Sequence, residues 1–474
     1  MKMNFIITKQ NKTIKLNVLK DRTPSLIYSS SLYDQICFNI AKKRIADIES
    51  DDFKLYVNLL LLKSKKVKEL TSLIYLITHN ILDVKEIYCD YIEASFFNDF
   101  ISSEYNIRYN LSFKKYNLID TKYKYFIFPV KMILHRFYRI LKNKVEYKKS
   151  FIKTYVEDTI KFYPEHIDNS TIFIYPFNLN FNRQRKFIKY CKEKYKGSYS
   201  LMGNPYSLSS YLFTLINKKG SDISVLDAEK KAYLKHSKEL LNLNIKKLYT
   251  LDEFEAASFI MNTDLIKNNI FVQNKTHGVG GYCLYLNYSI LEVYTSKQYE
   301  RYKEWNPYLN ISFQKLNIPT HKKYKNEKVK IVFMHGNMKA CGLNYEEELE
   351  QKIIIKLKEI SSRLNIEYFI KFHPNTTKET KLEYKHLNIK EMGSIEQINN
   401  PLFITIFSTS FYDFLKFGPF IFLSDDFLDP SYIFGKDILS FYNYNDSEEI
   451  IKSNVNLFNY ESLHKLQLQY INNR

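Results

Sequence analysis

Three short motifs carry residue types able to do chemistry. His373-Pro374, in YFIKFHPN, closes an apolar run that reads as a strand, with Lys371 two residues earlier. Ligands of open α/β sheets bind outside the carboxyl ends of the strands, so an imidazole there can donate to a phosphate. The plainer alternative is a histidine ending a strand beside a turn proline. Ser408-Thr409-Ser410 follows the run LFITIF and opens a short helix. Hydroxyls and free N–H groups at a helix start can hold an anion, although Ser and Thr also cap helices that bind nothing. The third motif, THGVGGY at 276–282, gathers Gly278, Gly280 and Gly281 in a chain with only 11 glycines. The unperturbed pKa of histidine lies near physiological pH, so His277 there can act as a general base on an acceptor hydroxyl, the alternative being a glycine turn with an incidental histidine. His335-Gly336 ends a further apolar run and is expected to face the same cleft, with Gly336 near the phosphate and Asn337 and Lys339 following. Asp425 and Asp426 end another run, where an acid can bind ribose or simply sit in a solvated loop.

These positions need a sheet whose strand ends lie along one edge. In the C-terminal third, VKIVFMHG, IEYFIKFHP, LNIKEM, LFITIF, PFIFLSDD and ILSFYNY read as six strands, with helices between them. The helical spacing is clearest over residues 346–364. Such alternation implies a parallel, doubly wound sheet. The N-terminal part alternates less cleanly: SLIYSS, FKLYVNLLLL, IYCDYIE, TIFIYPF and NIFVQNK read as strands, and LYDQICFNIAKK as a helix. The polar stretch 321–330 fits a linker. The expected architecture is α/β and GT-B-like, with two Rossmann-like domains facing across a cleft. Residues 1–320 would form an acceptor-binding domain with basic helical insertions, and 331–474 a nucleotide-donor domain whose last helices cross back.

The chain has 474 residues, 70 Lys+Arg against 51 Asp+Glu, and so a net charge of +19. Gly and Pro number 11 each, too few for a low-complexity or collagen-like protein. Five scattered cysteines without a CxxC pair suggest neither a zinc ribbon nor a disulfide scaffold, and fit a reducing cytoplasm. The first residues lack the apolar run of a signal peptide, and no stretch approaches the ~20 apolar residues of a membrane span. No HExxH and no GxxxxGK[ST] occurs, so neither a metal site nor a P-loop is expected. Two basic, aromatic segments, 122–149 and 182–196, have apolar residues at helical spacing. They suit the anionic inner face of the cytoplasmic membrane or a polyanionic polymer, and equally a solvated helix face. No nucleic-acid motif accompanies the charge.

Taken in order, these motifs resemble bacterial surface-polysaccharide transferases of the GT-B fold, chiefly sialyltransferases and polysialyltransferases. Those carry a strand-end HP motif and a downstream Ser/Thr pair that bind the CMP of the donor. The matching residues here are His373-Pro374 and Ser408-Thr409-Ser410. The family's acidic–acidic–Gly motif is replaced by Thr276-His277-Gly278, so the catalytic acid is missing and His277 stands in its place. A His-Gly at this point, with IKxHP and a serine step, is similar to CDP-glycerol glycerophosphotransferases, whose histidine is the proposed base. Their aromatic before the His and their Asp before the Ser pair are Thr276 and Ile406 here. The resemblance covers mainly residues 269–445 and the first 45. It implies a metal-independent, inverting transferase with no cofactor. Its substrates would be a CMP-activated, sialic-acid-like donor and a saccharide or anionic polysaccharide acceptor of capsule or lipooligosaccharide synthesis. The alternatives are polyol-phosphate transfer from a CDP-alcohol, and a non-catalytic polyanion- or membrane-binding protein on a decayed transferase fold.

Overall fold

The computed structural model describes residues 5–15, 23–79, 81–90, 106–110, 148–154, 162–174, 181–191, 193, 199–201, 222–276, 278, 283–316, 318, 324–336, 338, 343–373, 376–393, 398–408 and 410–474. Strands β1 (Phe5–Thr8), β2 (Thr13–Lys15), β3 (Val84–Asp90) and β4 (Asn106–Asn110) form a small mixed sheet. A second sheet holds β5 (Ser150–Thr154), β6 (Ser170–Ile174), β7 (Tyr199–Leu201), β8 (Lys247–Thr250), β9 (Phe271–Lys275), β10 (Ile290–Val293) and β11 (Ile311–Phe313). A third holds β12 (Lys330–Met334), β13 (Tyr368–Lys371), β14 (Lys390–Glu391), β15 (Pro401–Thr405), β16 (Phe420–Ser424) and β17 (Phe441–Asn443).

Every pairing in the second and third sheets is parallel. Their orders are β11-β10-β9-β8-β5-β6-β7 and β14-β13-β12-β15-β16-β17. Both orders reverse between the first and fourth strand of the sheet, the doubly wound arrangement in which ligands sit at the reversal. The protein is α/β with a GT-B-like pair of Rossmann-like sheets. All six strands expected in the C-terminal third are present. The central strands β15 and β16 are buried at every residue, as strands covered on both faces must be, whereas the edge strands β14 and β17 are mostly exposed.

Two N-terminal strand expectations are corrected. SLIYSS is a 3-10 helix, Ser25–Ser29, leading into the helix Ser31–Arg44. FKLYVNLLLL lies within the helix Asp51–Lys63, where Phe53 and all residues from Leu55 to Leu61 are buried. A helix apolar all round gives no period to read, and a short apolar run does not separate strand from helix. The start signals decide it: Ser50 Oγ accepts the Phe53 N–H at 3.2 Å, and Asp51 and Asp52 occupy the first turn. The first strand of the second sheet is therefore β5. The helices before β3 cover that sheet and share its core. The bidentate bond of Arg301 to Asp34 (2.6 and 2.7 Å), buried on both sides, ties the helix Ser31–Arg44 to the helix Ser296–Trp305.

The basic segment 122–149 lies outside the described residues except for Lys148 and Lys149. In the other, the helix Phe181–Tyr190 turns Phe187 and Ile188 inward against Ile172 and Tyr199. Its apolar stripe is engaged by the core, which leaves a basic face of Arg185, Lys186 and Lys189 in water. Among the described residues no helix is long and apolar enough to cross a membrane.

The carboxyl edges of the two large sheets meet. Tyr294, after β10, packs at a tilt against Tyr412 with 5.6 Å between ring centres, and Ser296 Oγ donates to Phe434 O at 3.0 Å and accepts Lys436 N–H at 2.8 Å. Gly435 makes this approach, with φ +61° and ψ −131°. A Cβ there would stand 2.7 Å from Ser296 Oγ and 2.8 Å from Lys297 N. Gly435→Ala is expected to cost about 1–3 kcal/mol, the strain of a backbone region that side chains avoid. Urea unfolding of variant and parent measures it, and an unchanged midpoint would contradict this junction.

Candidate functional site at the carboxyl edges

In the third sheet, β12 lies between β13 and β15, so the loops after these strands share one edge. Lys371 ends β13, and its Nζ lies 5.8 Å from the ring centre of Phe414, in the helix Ser410–Phe414 that follows β15. The His373 strand end and the Ser408 helix start are thereby brought to the same stretch of edge. His373 is exposed, and its carbonyl accepts the Thr376 N–H at 2.9 Å. Partial burial and the neighbouring Lys371 hold its imidazole below the usual range, so it is neutral near pH 7 and can donate to an anion. Ser408 Oγ accepts the Ser410 N–H at 3.2 Å, a capping contact, and keeps its own proton to give. Pro374 and Thr409 lie outside the described residues.

His335 departs from expectation. Its ring does not face the cleft; it is buried beside Phe372 and Tyr384, with Nε2 3.4 Å from Glu350 Oε2. The Gly336 N–H likewise points inward, to Glu350 Oε1 at 2.7 Å. Asp425 and Asp426 hold loops: Asp425 accepts from Phe427 N, Leu428 N and Tyr345 OH, and Asp426 from Asn443 Nδ2. Their contacts are those of loop-building acids.

In the second sheet, His277 itself lies outside the described residues, as do positions 279–282. Its flanks are held closely. Thr276 is buried, and its carbonyl accepts from Gln314 Nε2 at 3.0 Å; Gly278 O accepts from Gln298 Nε2 at 2.6 Å. The Cys283 N–H donates to Glu253 O at 3.1 Å.

Glu253 belongs to a buried network that the motif search missed. At the reversal between β5 and β8, Lys153 Nζ is bonded to Asp252 Oδ2 (3.0 Å) and Glu255 Oε2 (2.7 Å), with the lysine and Asp252 side chains each 1% exposed. Tyr288 OH and Thr250 Oγ1 donate to Asp252, and Tyr233 OH to Glu255. Asn274, at the end of β9, accepts from Asp252 N and donates to Glu253. Burial pushes the Glu255 carboxyl up, against the pull of Lys153. The available signal was the acidic cluster LDEFE directly after the strand KLYT. Among the described residues no group of three His, Cys, Asp or Glu could hold a metal ion.

No family model and no curated protein matches this sequence. Solved structures do align with it. A UDP-glucosyltransferase from Polygonum tinctorium is similar at 9% identity over 70% of this chain and 94% of that one, with a TM-score of 0.39. The lipopolysaccharide outer core galactosyltransferase WaaB aligns at 11% identity over 68% and 94%, with a TM-score of 0.39. HepE of Anabaena, solved with UDP and glucose, aligns at 8% identity over 69% and 94%, with a TM-score of 0.41.

Removing the ammonium that Asp252 and Glu255 share would strand buried carboxylates. Lys153→Met is expected to lose about 3–5 kcal/mol of stability. Chemical denaturation reads this directly; a loss below about 1 kcal/mol, the range of exposed pairs, would mean that the network does not hold the edge.

Proposed function

We propose that the protein is a glycosyltransferase that binds the nucleotide of an activated donor at the carboxyl edge of the third sheet. What supports this reading is that Lys371 and His373 lie at the end of β13 and Ser408 follows β15, the two strands that flank β12 beside the reversal of strand order. A neutral imidazole, an ammonium and a hydroxyl at such an edge are the groups a leaving phosphate needs. Gly278 follows β9 of the second sheet, which suits an acceptor.

The donor is a CMP-activated, sialic-acid-like sugar and the acceptor a saccharide hydroxyl of a surface polysaccharide. His277 takes the hydroxyl proton as the acceptor oxygen bonds to the anomeric carbon. The bond from that carbon to the phosphate oxygen breaks through an oxocarbenium-like state, and CMP departs with the electron pair. Lys371, His373 and Ser408 meet the charge that grows on the phosphate. The histidine at 277 in place of a carboxylate keeps a second reading, attack on the phosphorus of a CDP-alcohol with the same residues in the same roles.

A donor screen over CMP-sugars, CDP-alcohols and UDP-sugars tests the reading, with nucleotide affinity measured beside it. His277→Ala is expected to lower turnover by roughly 10²–10⁴-fold and leave nucleotide affinity intact. His373→Ala is expected to weaken nucleotide binding by about 10–100-fold. Unchanged turnover and affinity in both variants would refute the site. Nucleotide release from CDP-alcohols alone would replace sugar transfer by phosphotransfer, and the absence of any nucleotide binding would favour a non-catalytic polyanion binder.

A further inference from the structure

The helix Asn344–Leu364 turns a stripe of Leu349, Ile353, Ile354, Leu357 and Ile360 into the core of the third sheet. Two acids, Glu346 and Glu350, sit in that stripe, each 1% exposed. A carboxylate in such a place must be neutralised or fully hydrogen-bonded. Glu346 accepts the Ser25 N–H from the other half of the molecule. Glu350 is satisfied on one side only: Oε1 holds Gly336 N–H, and Oε2 makes no hydrogen bond although His335 Nε2 stands 3.4 Å away. The backbone N–H of His335 is fixed in turn to Lys371 O at 3.0 Å, which couples the end of β12 to the end of β13 two residues before His373.

We propose that Glu350 and His335 are positioning residues that share one proton between Glu350 Oε2 and His335 Nε2, and so set the Gly336 loop and the His373 strand end for the donor phosphate. This rests on the reading that a nucleotide occupies this edge. A protonated Oε2 supplies the missing hydrogen bond, leaves the neutral imidazole with its proton on Nδ1, and keeps negative charge away from the phosphate. Burial acts in this direction on both groups, pushing Glu350 up to about 8 and His335 down to about 4. Among the described residues, the groups facing the pair include Glu347 on the same helix, Tyr384 from the helix Lys378–Lys385, Tyr368 from β13, and His373 with Lys371 beyond it.

The test compares the parent with Glu350→Gln, which retains an acceptor for Gly336 N–H and a donor for His335 but cannot ionise. Without ligand, a carboxyl raised on folding stabilises below its unfolded value near 4.5 and loses that contribution as pH rises through about 8. The parent's unfolding midpoint is therefore expected to fall more steeply than the variant's across that window. With CMP as probe, the parent's affinity is expected to drop roughly tenfold between pH 7 and 9, a change of order one pKa unit of interaction, while that of Glu350→Gln stays flat. Equal stability slopes in the two proteins would overturn the shared proton. A stability difference with equal CMP profiles would overturn the positioning role. A stability difference with no CMP binding at any pH would support the pair and refute the nucleotide reading.

Discussion

Beneath the loops that carry candidate chemistry lie ionisable groups cut off from water, and the geometry of both edges follows from how they are paired. Transferring a lone charge into a protein interior is prohibitively unfavourable, so each group must find a counter-charge, a proton or backbone dipoles. Under the second sheet, Lys153 is held between Asp252 and Glu255, and the same cluster reaches Asn274 and Glu253 at the roots of the glycine segment. Under the third, Glu350 draws the Gly336 N–H inward and faces His335. In both sheets the strand ends are fixed from below, so that a ligand can be met at the edge without reordering it.

The two edges act together only if the sheets keep their relation. Ser296 bonds to the chain on either side of Gly435, Tyr75 OH donates to Phe427 O at 2.7 Å, and Ser25 N–H reaches Glu346. Asp437, buried beneath this junction, accepts from Arg474 and Tyr412. Among the described residues these contacts are largely polar and engage backbone groups, while Leu26 and Tyr294 pack on the core of the third sheet and Tyr432 on both cores.

What could be read in advance follows from the locality of each signal. The central C-terminal strands β12, β13, β15 and β16 were legible because each is a short, largely apolar run ended by Gly, Pro, Asp or a polar loop, as parallel burial requires. The strand-end positions of His373 and Ser408 followed from that. Asp51–Lys63 was misread because complete burial erases its period, although Ser50 and two aspartates announced its start. Lys153 was invisible because a lysine in SFIKT reads as a surface residue, while its partners lie 99 and 102 residues away. Glu350 lies within the helical pattern of 346–364, where an acid among interleaved charges reads as part of a solvated face. Its place in the apolar stripe, four residues after Glu346, was the overlooked signal.

The central claim is that a nucleotide binds at the carboxyl edge of β12, β13 and β15. Hydrogen–deuterium exchange of the full chain with and without saturating CMP, CDP and UDP addresses it most directly. The account predicts slower exchange with the cytidine nucleotides in peptides covering 335–343, 371–378 and 405–414, and little change around β5 and β8. Protection confined to the second sheet, or none with any nucleotide, would contradict it.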